Sequence, residues 1–167
     1  MSTHTPEIIE RLKKIEIFKR MKNLEDDIQK IANLIQIKTY RKDTPIIEEG
    51  LPGDEMYILN KGQVRIEKKT LEKEPYTVVK LTDGMNIFFG ELALIDEDLR
   101  SASVIAESDC ECFVIDRKGL DILAEKEPQI CVVIYREIAR IISSRLRKSN
   151  DELIKLFGVL IREIMAE

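Results

Sequence analysis

Apolar positions change rhythm twice along the chain. Near the N-terminus Ile8, Ile9, Leu12, Ile15 and Phe18 recur at helical spacing, and Thr5-Pro6 supplies a capping hydroxyl before a proline suited to the first helical position. Asn23, with Asp26 three residues on, opens a second helix carrying Ile28, Ile31, Ala32 and Ile35. Neither helix gathers convergent polar groups, so both read as packing helices. From Ile37 the pattern becomes short β-prone runs, predicting strands near 37–42, 45–48, 56–61, 63–69, 76–82, 101–106 and 110–115. Gly50, Gly53, Gly62 and Asp83-Gly84 punctuate them. Seven or eight short strands at this spacing argue for a small barrel or jelly roll.

Helical spacing then returns. Asp116 is placed to cap a short helix carrying Leu120, Leu123 and Ala124, which Glu127-Pro128 stops. A long helical segment runs from Pro128 towards Ala166, with Ile134, Ile138, Ile141, Ile142 and Leu146 continued by Leu153, Leu156, Phe157, Leu160 and Ile164. About 38 residues at 1.5 Å each reach roughly 57 Å, beyond what one small roll covers. The stripe therefore calls for a partner helix, its own copy first, with a fold-back onto the N-terminal helices as the alternative. Ser149-Asn150-Asp151-Glu152 spells a capping box, where the helix could end and restart as a hinge. The organisation expected is α+β and mainly β. An eight-stranded roll with N-terminal helices fills residues 1–127, and lid or dimerisation helices fill 128–167.

Composition narrows the chemistry. The 167 residues are 44% apolar and 35% charged with a net charge of −4. That balance gives no general pull towards nucleic acid or anionic membrane. No apolar run approaches the ~20 residues of a spanning helix, and Met1 to Pro6 is too polar for a signal peptide, so a cytoplasmic location is expected. The single histidine, His4, removes His-based triads and most zinc catalysis. Cys110, Cys112 and Cys131 lack a second pair to complete a metal site and read as small hydrophobes. No metal, no cofactor and no catalysis are expected.

One stretch gathers compatible chemistry. In Phe89-Gly90-Glu91-Leu92-Ala93-Leu94-Ile95 a glycine opens a turn and a carboxylate follows it; Arg100-Ser101-Ala102-Ser103-Val104 stands nine residues beyond Glu91. Gly90 lets backbone approach a phosphate, and small residues at Ala93, Ser101 and Ala102 leave N–H groups open as anion donors. Arg100 can fork onto two phosphate oxygens, and an ionised Glu91 suits a ribose hydroxyl. Alone, Glu91 and Arg100 could equally form a surface ion pair worth about 0–1 kcal/mol.

The whole run F-G-E-L-A-L-I-x4-R-S-A-S-V resembles the phosphate-binding cassette of the cyclic nucleotide-binding domain family. Ile47 to Ile58, with Gly50-Leu51-Pro52-Gly53, is similar to the turn and strand before that cassette. Gly62-Gln63-Val64 fits the next hairpin, and Asp109-Cys110 to Asp116-Arg117 the closing strand. The likeness covers roughly residues 18 to 150. It implies a β-roll flanked by helices that binds a cyclic nucleotide, cAMP first and cGMP second, since Ser101 after Arg100 resembles the catabolite-activator branch. Gly90, Glu91, Leu92, Ala93, Arg100, Ser101 and Ala102 would hold phosphate and ribose. Ile66, Val78 and Leu81 match positions under ribose and base, where a plain core role is the other reading. Arg145, Ser149 and Asn150 fall where the family's last helix lies over the base, or form a solvated face.

Two departures weigh against a simple transfer. Gly84 to Gly90 is about two residues longer than the family's usual approach to the cassette. From Gly90 to Glu111 there are seven acids against Arg100 alone. These favour the alternative of a roll that no longer binds nucleotide and serves as a dimerisation or interaction module. A jelly-roll enzyme is disfavoured by the absence of histidine from the roll, and DNA binding by the acids interleaved among the terminal basic residues. The partners expected are a cyclic nucleotide, a second copy through the C-terminal helices and a separate effector protein, with no nucleic acid and no membrane.

Overall fold

The computed structural model describes residues 5–72 and 74–166; His4 lies outside the described residues. Helix α1 (Thr5–Leu12), a 3-10 turn at Glu16–Phe18 and α2 (Leu24–Ala32) precede eight strands. These are β1 (Gln36–Tyr40), β2 (Pro45–Ile47), β3 (Glu55–Lys61), β4 (Gln63–Lys69), β5 (Pro75–Thr82), β6 (Phe88–Phe89), β7 (Ser103–Ala106) and β8 (Cys110–Asp116). Helices α3 (Arg117–Lys126) and α4 (Pro128–Ala166) follow.

The strands form two four-stranded sheets, ordered β1-β8-β3-β6 and β2-β7-β4-β5, and neighbouring strands run antiparallel. Strand β3 shows why the first sheet is a shared wall. Met56, Tyr57, Ile58 and Leu59 are all buried, and successive side chains point to opposite faces. Met56 and Ile58 join the core under the helices, whereas Tyr57 and Leu59 fill the roll. Strand β8 divides likewise, Phe113 and Ile115 to one side and Cys112 and Val114 to the other. The helix-side core also takes Leu12, Phe18, Ile28, Leu120, Ile134 and Ile138, so the N-terminal helices and the first half of α4 cover this wall together.

Three local readings are corrected. The N-terminal helix does not run to Phe18 but ends at Leu12. Ile15, Ile17 and Phe18 are all fully buried, too close in sequence to share one helical face, and extended backbone at Ile15 followed by the 3-10 turn buries them together. Phe88-Phe89, outside the strand runs named from the sequence, is a two-residue strand beside β3. The capping box at Ser149 does not interrupt α4, which is one helix of 39 residues. A cap is worth about 1 kcal/mol, too little to break a helix whose flanks, Arg145 to Lys148 and Glu152 to Leu156, are mostly good helix formers. Asp116 does cap α3, its Oδ1 accepting the Gly119 N–H at 2.5 Å.

Candidate functional site

Gly90 ends β6 in the left-handed region at φ 76°, and a 3-10 turn follows over Glu91–Leu94. Leu94 anchors this turn in the helix-side core, and Ala93 is buried beside it, while Leu92 and Ile95 stay exposed. The chain returns to Arg100, whose backbone is fastened to the turn after β2: its N–H donates to the Leu51 carbonyl and its carbonyl accepts the Gly50 N–H, both at 2.9 Å. The Arg100 guanidinium occupies a slot between two glycines. A Cβ on Gly53 would lie 2.4 Å from Nε, and one on Gly90 would lie 3.1 Å from Nη1 and 2.9 Å from Ile47 Cδ1. Nη1 donates to the Gly90 carbonyl at 3.1 Å and Nη2 to the Glu55 carbonyl at 2.8 Å. An arginine has five N–H donors, so this grip orients the group and leaves donors for an anion.

All seven cassette residues line one cavity of about 480 Å³, within the usual size of a small-molecule site. Ile66, Val78 and Leu81 form its apolar floor, and Val79 and Ile87 extend it. Arg145 closes the far side from α4, but Ser149 and Asn150 do not line the cavity. Helix geometry explains the split: at 100° per residue Asn150 lies about 140° round from Arg145, and Ser149 shares its side but stands about 6 Å further along. Of the donors expected for phosphate, the Ala93 N–H is already bonded to the Gly90 carbonyl at 3.2 Å.

The ion pair that Glu91 and Arg100 could form if taken alone is not made. Glu91 is only 3% exposed, and its Oε1 accepts from Nη1 of Arg145 at 2.5 Å. A buried carboxylate needs a partner to offset lost hydration; α4 supplies it from 54 positions away, and the same Glu91 side chain lines the cavity. Asp96 and Asp98 also line the cavity, and both are exposed to solvent.

Three residues outside the expected set hold the site in place. Gly53, read only as a turn residue, makes the slot for Arg100. Arg117, at the start of α3, donates through Nε and Nη2 to the Ala93 carbonyl at 2.9 and 2.6 Å and through Nη2 to the Asp96 carbonyl. It thus ties the end of the cassette turn to the helices. Arg11 of α1 donates to Asn86 Oδ1 at 2.9 Å and to the Asp83 carbonyl at 2.6 Å. That clamp fixes the lengthened approach, where Asn86 itself is left-handed.

Behind Arg100, Glu55 accepts from Lys38 Nζ and from the Tyr57 hydroxyl, each at 2.6 Å. Burial works to raise its carboxyl pKa, but these hydrogen bonds and the positive charges of Lys38 and Arg100 outweigh it and leave it lowered. Burial pushes the Cys112 thiol up to about 12 and the Cys131 thiol to about 11, so both stay neutral and act as packing groups. Among the described residues no group of His, Cys, Asp and Glu is arranged to hold a metal ion, and no helix is long and apolar enough to cross a membrane.

Comparison with known proteins meets this geometry. The family profile described as "Cyclic nucleotide-binding domain" matches residues 37–127. Over 101 residues the chain is 42% identical to cGMP-dependent protein kinase 2 of Homo sapiens, an alignment covering 59% of this chain and 13% of the kinase. It is 40% identical over 90 residues to the cAMP-dependent protein kinase regulatory subunit of Aspergillus fumigatus, covering 54% of this chain and 21% of that protein. The chain thus spans only 13% and 21% of these two relatives. Among solved structures, a cyclic nucleotide-binding domain from Methylobacillus flagellatus KT aligns with a TM-score of 0.75 at 25% identity, over 90% of this chain and 83% of that one.

Proposed function

The chain belongs to the cyclic nucleotide-binding domain family, and from that premise we propose that it is a non-catalytic sensor of cAMP. The observation that carries the reading is a single cavity shared by a buried carboxylate, Glu91, and a pre-oriented guanidinium, Arg100, above an apolar floor. The phosphate meets Arg100 and the N–H groups around Gly90 and Ser101-Ala102. The ribose 2′-OH donates to Glu91, and the base lies over Ile66, Val78 and Leu81 beneath α4. Glu91 then serves two partners, ligand and Arg145, so ligand shifts the population of α4 arrangements. Output passes through a homodimer joined by the C-terminal helices, or through a separate effector. Ser101, as in the catabolite-activator branch, favours cAMP over cGMP.

A second reading, an interaction module that has lost its nucleotide, is favoured by Asp96 and Asp98 at the cavity. Exposed carboxylates are screened beyond ~8–10 Å at physiological salt, whereas a direct charge-assisted bond from Arg100 is worth roughly 1.5–3 kcal/mol. The balance falls to binding. Thermal unfolding with and without nucleotide decides between the readings. At ~100 times its dissociation constant a ligand adds about 2.7 kcal/mol, which raises Tm by several degrees at this size. A larger rise with cAMP than with cGMP, abolished in Arg100→Ala, is the expected result. No rise with either nucleotide leaves the interaction module standing.

A further inference from the structure

Arg11 enters the fold from α1 at a point where packing alone needs no charge. Ile8 and Leu12, on either side of it, already seat the helix in the core. The Arg11 side chain is half-buried, and its Nε is buried with no hydrogen-bond partner. Burial pulls its pKa below the usual value, with the charge of Asp83 opposing. An orphaned buried donor costs free energy, so a methionine would serve packing better. What the arginine adds is the grip of its two terminal nitrogens.

Those nitrogens reach two separate pieces of chain. Nη1 donates to Asn86 Oδ1 at 2.9 Å; Nη2 donates to the Asp83 carbonyl at 2.6 Å and to the Leu59 carbonyl. Asp83 opens a 3-10 turn over Asp83–Met85, Asn86 follows it, and Leu59 belongs to β3. The start of the turn is secured separately, because the Gly62 N–H donates to Asp83 Oδ2 at 3.0 Å. Its tip is open. Met85 is 57% exposed; among the described residues, chain neighbours aside, a Cβ on Gly84 would meet nothing nearer than the Thr82 hydroxyl at 3.9 Å. Asn86 stands at φ 51°, a left-handed state that surrounding contacts must maintain.

The next residue, Ile87, extends the apolar floor of the cavity. Its carbonyl accepts from the Leu59 N–H at 3.3 Å. Leu59 is thus bonded to Ile87 through its N–H and to Arg11 through its carbonyl, while Arg11 holds Asn86. That closed circuit fixes where Ile87 stands, although Arg11 itself does not line the cavity. A purine, with two fused rings, reaches further along such a floor than the single ring of a pyrimidine. We propose that Arg11 is a positioning residue for base selection: its grip on Asp83, Asn86 and β3 sets Ile87 where a purine gains contact and a pyrimidine does not. This rests on the nucleotide-sensor reading above and adds a residue that tunes it from outside the cavity.

The test titrates the full chain calorimetrically with cAMP and with cUMP, its single-ring counterpart. One methylene's worth of contact in an apolar pocket changes affinity about tenfold or more. Arg11→Met should therefore lose about tenfold for cAMP and about twofold or less for cUMP. Arg11→Lys, which reaches fewer acceptors, should regain part of the difference. Asn86→Gly keeps the left-handed backbone, removes one acceptor and should shift the ratio the same way by less. Equal losses for both nucleotides in Arg11→Met would overturn the proposal, because a merely structural defect lowers the competent fraction alike for every ligand. Should that variant fail to fold, an unchanged ratio in Asn86→Gly overturns it instead. An unaltered protein that binds both nucleotides equally would overturn base selection and leave the sensor standing. One that binds neither removes the sensor reading and this one with it.

Discussion

The two ends of the cavity are built differently. At the cassette end, backbone bonds to Gly50 and Leu51, two carbonyls and two glycines confine Arg100. At the α4 end a single ion pair joins Glu91 to Arg145, whose side chain is 59% exposed. The first end is over-determined and the second is held at one point. In the proposed function the rigid end recognises the ligand and the end held at one point reports it. The contrast assigns what each substitution should do.

Changes at the rigid end should be largest. In Gly90→Ala a side chain must adopt φ 76° and press on Ile47, Arg100 and the Glu55 carbonyl. The strain should remove about 1–3 kcal/mol of stability. We expect at least a tenfold loss of cAMP affinity by calorimetry, with a matching drop in the urea midpoint. Arg145→Ala should cost less affinity, a three- to tenfold loss, because the arginine is more than half solvated and touches the site at this one point. Equal losses from the two substitutions would erase the distinction between the ends.

The smallest effect is one of pH. The folded Glu55 carboxyl lies below its ordinary value near 4.5. Its stabilisation is therefore present above that value and is lost as pH falls through the folded-state pKa. Lys38→Met should lower the melting temperature at neutral pH, and the gap from the unaltered protein should close as pH falls through the lowered Glu55 carboxyl pKa. A gap that persists in acid would mean that Lys38 acts through packing rather than charge.

What could be read in advance follows physical range. Periodicity and caps are local, so the helix after Asp116, most strands and the cassette were legible from neighbouring residues. Short-range conflicts were less so: Ile15, Ile17 and Phe18 looked helical one at a time, and only their joint burial broke the helix. Pairings across the fold were out of reach. Nothing in Gly53 announces the guanidinium of Arg100, and Arg117 beyond the closing strand gives no sign of the Ala93 carbonyl it holds. Glu91 was read as a ribose partner with Arg100 as its alternative, yet the roll turns Arg100 onto backbone carbonyls and gives the carboxylate Arg145 of α4. Ser149 and Asn150 were grouped with Arg145 by the family resemblance, although the helix carries them away from the cavity.

The pairing of Gln36 with Val114 in β1 and β8 also sets an order in time. The strand that closes the first sheet is the last one the ribosome delivers, and long-range antiparallel pairing forms slowly. Until β8 emerges, β1 and β3 lack their shared neighbour, and the wall behind Tyr57 and Phe89 is open. A newly made chain therefore has its cassette sequence before it has the strand that completes the first sheet. A ligand that binds only the finished roll would slow its unfolding and leave the rate at which it forms unchanged.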